Sequence, residues 1–138
     1  MSKVEYFAAP EGPLRSLPFS EAVRVGELLF VSGQIGNPPD RLELAPGGIR
    51  AEARQALENM RAVLERHGSR LDDVVKCTVF LASIAEWPAF NEVYMTFFAG
   101  RLPARSALAS SGLALGARVE IECVAHVPGR SQARGARP

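Results

Sequence analysis

Three polar positions stand where strand-like runs should bury them, and each carries chemistry. Arg105 follows Pro103-Ala104 at the start of an extended segment, flanked by Ser106 and Ala107. A guanidinium there offers a planar fork that can grip a carboxylate through two hydrogen bonds. An internal ion pair with Glu120 or Glu122 would occupy it equally well. Glu120 lies on a segment whose alternate residues are strongly apolar. In a covered cleft its pKa rises and it becomes a proton shuttle; in solvent, or paired with an arginine, it is only a carboxylate. Ser32-Gly33-Gln34 ends an apolar run. Glycine at that point lets a ligand approach the backbone, although an ordinary strand exit would look the same.

Other chemistries find no footing. There is no Walker loop, dinucleotide fingerprint, zinc motif or serine-nucleophile elbow. His67 and His126 have no partner at metal-ligand spacing, so no metal site is expected. Cys77 and Cys123 are far apart, form no C-x-x-C pair and sit in apolar surroundings, so they read as buried reduced thiols.

The elements that must position these residues follow from periodicity and punctuation. Residues 4–8 suit a short first strand, and residues 10–18, with three prolines and a glycine, read as loop. Residues 22–25 and 28–32 are strand-like and separated by Gly26-Glu27, the spacing of a tight hairpin. Beyond the breaks at Asn37-Pro38-Pro39-Asp40 and Pro46-Gly47-Gly48, a helix is predicted. Its apolar face is Ile49, Ala53, Ala56, Leu57, Met60, Val63 and Leu64; its polar face is Arg50, Glu52, Arg54, Gln55, Glu58, Arg61 and Glu65. Glu58 and Arg61 suit a surface pair. Gly68 fits the left-handed position that ends a helix, and His67 beside it would favour the helix dipole if protonated.

Residues 74–81 alternate as a strand, with Val75, Cys77, Val79 and Leu81 on one side and Val74, Lys76, Thr78 and Phe80 on the other. Ser83-Ile84-Ala85-Glu86 matches a capping box, Pro88 fits the first turn, and Phe90, Val93, Tyr94 and Phe97 make the buried stripe of a second helix ending near Gly100. Extended segments at 104–110 and 118–127 flank a turn at 112–116. In the last of them, Val119, Ile121, Cys123, Ala125 and Val127 share a face.

This order implies an α+β fold, one mixed sheet with both helices on one face. Strands apolar on both sides leave the other sheet face uncovered, so self-association through that face is expected. The chain of 138 residues fits one domain, residues 1–128, with 129–138 as a disordered tail. A composition of 47% hydrophobic and 22% charged residues is ordinary for a soluble protein. A net charge of +1 gives no field to recruit nucleic acid or an anionic membrane. No apolar run reaches membrane-span length and the N-terminus lacks the pattern of a signal peptide, so a cytoplasmic location is the expectation.

These segments resemble the RidA family, also called YjgF or L-PSP endoribonuclease. The resemblance runs from about Phe19 to Val127 through Pro18-Phe19-Ser20-Glu21-Ala22-Val23, Leu29-Phe30-Val31-Ser32-Gly33-Gln34-Ile35, Gln55-Ala56-Leu57-Glu58-Asn59-Met60, Leu71-Asp72-Asp73-Val74-Val75-Lys76, Asn91-Glu92-Val93-Tyr94, Pro103-Ala104-Arg105-Ser106 and Val119-Glu120-Ile121-Glu122. The Pro-Ala-Arg-Ser block is the most specific. The resemblance implies a chorismate-mutase-like fold, a homotrimer with a barrel-like core, and ligand clefts between subunits. It implies hydrolysis of enamines and imines such as 2-aminoacrylate to 2-keto acids and ammonia, without metal or organic cofactor. A non-catalytic module binding small carboxylates is the alternative. Carried over, Arg105 binds the substrate carboxylate and Glu120 stands near the attacking water, while Gly33, Asn91 and Phe19 line the pocket. Departures are Phe19 for the usual tyrosine, Leu17 and Glu21 for glycine and glutamine, Ala107 for a cysteine or small residue, and a short loop before Pro103.

Overall fold

The computed structural model describes residues 3–129. The tail predicted for 129–138 lies, apart from Gly129, outside the described residues. Six strands form one sheet: β1 (Val4–Phe7), β2 (Ala22–Val25), β3 (Leu28–Gln34), β4 (Val74–Leu81), β5 (Ala104–Ala109) and β6 (Val119–His126). Two helices cover it, α1 (Gly48–Arg66) and α2 (Trp87–Phe97). The spatial order is β1-β2-β3-β6-β4-β5, antiparallel throughout except for the parallel pair β4/β5. That pair needs a crossover connection, and α2 supplies it.

The hairpin at Gly26-Glu27 is as expected, with Val25 opposite Leu28 and Gly26 at φ 59°. α1 ends in a Schellman motif: Ser69 N–H reaches Leu64 O at 2.9 Å, and Gly68 takes φ 82°. Between the helices and the sheet lies the core, built from Leu57, Met60 and Leu64 of α1, Phe90 of α2, and Leu29, Val79, Leu81 and Ile121 of the sheet.

Three local readings are corrected. Val74 is buried and Val75 is exposed, because a register shift against β6 falls between Val74 and Lys76 and turns the first residue of the strand over. Glu52, placed on the polar face of α1, is buried, and its carboxylate accepts the backbone N–H of Arg118 at 2.8 Å. The 83–86 segment is only half a capping box. Ser83 Oγ caps a 3₁₀ turn by accepting from Ala85 N–H, whereas Glu86 accepts from Arg118 Nε instead of returning to the backbone; α2 then stops at Phe97.

The face of the sheet away from the helices has no cover among the described residues. Val4, Val25 and Leu28 form one cross-strand row there, and Tyr6, Val23, Phe30 and Val124 the next. Of these, Val4, Tyr6, Val25, Leu28 and Phe30 are exposed. Among the described residues no helix is long and apolar enough to cross a membrane.

Candidate active site

The predicted residues separate into two groups. Arg105 on β5 pairs across the ladder with Cys77, which in turn lies opposite Cys123 on β6. Side chains in one such row share a face, and Cys77 and Cys123 are buried toward the helices. Arg105 therefore points to α2. Its guanidinium carbon stands 4.8 Å from the ring centre of Tyr94, 5.8 Å from that of Phe90 and 5.9 Å from that of Trp87. Ring faces attract a cation without neutralising it, so this platform orients the guanidinium and leaves its hydrogen bonds for a ligand.

An ion pair with Glu120 or Glu122 is ruled out within one chain, since both point the other way. Arg105 makes no ion pair among the described residues. Asn91 lies on the same flank of α2, four residues after Trp87 and three before Tyr94. Its amide oxygen is buried and has no hydrogen-bond partner among the described residues. Behind Arg105, burial pushes the Cys77 thiol up to about 11 despite the nearby Tyr94 hydroxyl and Arg105 charge, so it is not a nucleophile at neutral pH.

Glu120 is in the row of Phe80 and Leu108, on the face away from the helices. A bulge between Val31 and Gln34 of β3 lets its side chain fold over Gly33. The approach is so close that a Cβ on Gly33 would overlap the carboxylate. Burial raises the pKa of Glu120, and the charge of neighbouring Glu122 adds to the rise. Phe19, Gly33 and Glu120 all line a cleft of about 420 Å³.

The rim is held by hydrogen bonds that tie residues 19–21 to β3. Ser32 Oγ donates to Ser20 O at 2.6 Å, and Ser32 N–H donates to Glu21 O at 3.0 Å. Glu21 itself is buried and accepts from both Nε and Nη2 of Arg66, with His67 Nε2 2.6 Å from its other side. Burial opposes ionisation of this carboxyl, but the bonds and charges of Arg66 and His67 outweigh it and hold the pKa below the usual range. This gives the departure at position 21 a structural purpose: it pins the start of β2 to the end of α1.

The family model described as Endoribonuclease L-PSP matches residues 11–127. The chain belongs to this family, the RidA family. A mouse protein named 2-iminobutanoate/2-iminopropanoate deaminase is 44% identical to it over 108 residues, covering 78% of this chain and 80% of that protein. A Dermatophagoides farinae protein of the same name is 41% identical, covering 90% of this chain and 97% of its own. The crystal structure of RidA from an Antarctic Psychrobacter aligns with a TM-score of 0.82 at 34% identity, over 89% of this chain and 99% of that one.

In this RidA-family chain the site contains more than the sequence motifs indicated. Trp87 joins the platform under Arg105; its spacing from Phe90 and Tyr94, one helical face, was the available signal. Leu115, in the turn before β6, lines the cleft and holds φ 59°, a left-handed backbone that costs a leucine about 1–2 kcal/mol. Nothing local in the sequence marks it. Among the described residues no His, Cys, Asp and Glu group could hold a metal ion.

Proposed function

We propose that this protein hydrolyses imino and enamino acids to 2-keto acids and ammonia, in a site completed by two copies of the chain. The observation that carries the reading is the division of labour across the sheet. Arg105, unpaired and mounted on three rings, faces one side, and Glu120, folded over Gly33, faces the other. A small substrate cannot touch both within one chain. A neighbour packed on the apolar open face would bring its Arg105 to this chain's Glu120, as in the homotrimer the family resemblance implies.

The chemistry then needs few parts. Arg105 takes the substrate carboxylate through a charge-assisted pair worth about 1.5–3 kcal/mol. Water held at Glu120 adds to the imine carbon. The C–O bond forms as the C=N pair moves to nitrogen, and Glu120 accepts the proton the water gives up. Return of that proton to nitrogen gives a carbinolamine; Glu120 then passes the hydroxyl proton to the same nitrogen, and the C–N bond breaks as the C=O bond forms, releasing ammonia and the keto acid. An enamine first takes a proton at its terminal carbon to become the imine. A carboxyl with a raised pKa suits this exchange, because both its forms are populated closer to neutral pH. The buried, unpartnered oxygen of Asn91 can accept an N–H of the substrate. No cofactor is required for any of these steps.

The test is a coupled assay in which an amino-acid oxidase generates imines in situ, with wild type compared to Arg105→Ala. Acceleration over buffer that is lost in the variant supports the reading. Arg105-dependent binding of keto acids without turnover would instead make the protein a carboxylate-binding module.

A further inference from the structure

Two of the rings under Arg105 are fixed by the core and the third is not. Phe90 and Tyr94 belong to the buried cluster between helices and sheet, so their rings cannot swing away from the guanidinium. Trp87 lies outside that cluster, and its ring, 5.9 Å from the guanidinium carbon, goes where the turn before α2 puts it. Arg118 braces that turn at both ends. Ala82 N–H donates to Arg118 O at 2.9 Å, and Arg118 Nε donates to the carboxylate of Glu86, the residue before Trp87, at 2.5 Å. Between these points Glu86 N–H reaches Ser83 O and Trp87 N–H reaches Ile84 O, which ties residues 82–87 into one piece. Arg118 is anchored in turn, since its own N–H donates to the buried carboxylate of Glu52 on α1.

We propose that Arg118 is a positioning residue for the substrate carboxylate: by clamping Glu86 it seats Trp87 against Arg105 and completes the support of the guanidinium. The inference rests on the deaminase reading above and deepens it. A long side chain that grips a ligand gives up rotamer freedom, and a side chain restricted beforehand gives up less. Two rings limit the guanidinium from the core side, and the third limits it from the start of α2. All of these contacts lie within one chain, so they hold whichever copy supplies Glu120.

A double-mutant cycle on the full chain decides it, with Arg118→Gln and Trp87→Ala made singly and together. Its readouts are kcat and KM for the imine of 2-aminobutyrate, Kd for pyruvate by calorimetry, and melting temperature. Each single variant should raise KM and the pyruvate Kd by about fivefold, with kcat changed less than about twofold. A merely structural loss would lower the folded fraction, and with it the apparent kcat, and leave KM in place. If Arg118 acts through Trp87, Arg118→Gln should add less than about twofold in the Trp87→Ala background. Arg118→Lys, which keeps a cation for Glu86, should recover most of the KM. Trp87 is the chain's only tryptophan, so its fluorescence anisotropy should fall in Arg118→Gln and return in Arg118→Lys. Glu86→Ala opens the same clamp and takes the place of Arg118→Gln in the cycle if that variant fails to fold. Independent effects of the two substitutions, or wild-type KM, Kd and anisotropy with the clamp open, overturn the proposal and leave the deaminase reading standing. Pyruvate binding that follows the expected cycle, with no turnover of any imine, overturns the deaminase reading alone. Neither turnover nor pyruvate binding in wild type overturns both.

Discussion

Gly33 and Glu120 fit together so closely that a methyl group on the first would occupy the place of the second's carboxylate. Gly33 is absent from the residues with positive φ, so alanine is allowed by the backbone and excluded only by the neighbour. Gly33→Ala should therefore fold and melt near wild type while moving Glu120 out of position. Displacement of this kind costs about 10²-fold in rate. Steady-state kinetics alongside circular dichroism would check it, and full activity in Gly33→Ala would remove Glu120 from the mechanism.

If Arg105 holds the substrate carboxylate, it should need both its fork and its flat face. Arg105→Lys retains the charge but loses bidentate binding and stacking on Tyr94, Phe90 and Trp87. We expect kcat/KM to fall by about 10–100-fold in Arg105→Ala, in line with a charged hydrogen bond of about 1.5–3 kcal/mol, and Arg105→Lys to recover only part of that. Equal activity of the lysine variant and wild type would mean that only the charge matters.

Because Arg105 and Glu120 project from opposite faces, inactive single variants should complement each other. Arg105→Ala and Glu120→Ala chains, refolded as an equal mixture, form intact sites wherever an intact arginine meets an intact glutamate, in about a quarter of the interfaces if assembly is random and symmetric. Recovery of activity on mixing, absent when each is refolded alone, is the expected result. No recovery from a mixture shown to co-assemble would place both groups in one chain's site.

The acidic limb of the pH–rate profile should follow Glu120. Burial raises its pKa and the charge on Glu122 raises it further. If Glu120 must be ionised to take the proton from water, kcat/KM rises with pH through that raised value. Glu122→Gln removes the repulsion, so the limb should move to lower pH. A shift to higher pH, or none, would mean another group controls the limb.

Stability should show a separate acid dependence from Glu21. Its pKa is lowered in the fold, so its pairing with Arg66 and His67 stabilises the protein fully above the ordinary value of 4.5 and is lost as pH falls through the depressed one. Glu21→Ala should cost about 1.5–3 kcal/mol near neutral pH and flatten the acid limb below the ordinary carboxyl range. Urea titrations of both proteins from pH 7 downward, with midpoints that fall in parallel, would show that another carboxylate governs acid unfolding.

Local pattern was enough for most of the fold. Alternation found the strands, the apolar spacing of Ala53 to Leu64 found α1, and Gly26-Glu27 and Gly68 marked a hairpin and a helix end. Motif blocks picked out Arg105, Glu120 and Gly33. Where the reading failed, the cause was non-local. Val74 and Val75 exchange faces because of how β4 meets β6, and Glu52 is buried because Arg118, far along the chain, needs an acceptor for its backbone N–H.

Sequence alone determined which residue types were available: a guanidinium suited to a carboxylate, a carboxyl on a half-apolar strand and a glycine at a strand exit. Within the regular stretches of each strand, away from the irregularities at Val74–Lys76 and Val31–Gln34, it also settled which residues share a side, since that alternation is a property of the local backbone. Only the tertiary structure decided which side each strand turns toward the helices, because that depends on pairing between segments far apart in the chain. Parallel β4/β5 pairing puts Arg105 in the row of Cys77, and antiparallel β4/β6 pairing puts Glu120 in the row of Phe80. The two groups thereby lie back to back, one over aromatic rings and the other over a bare glycine.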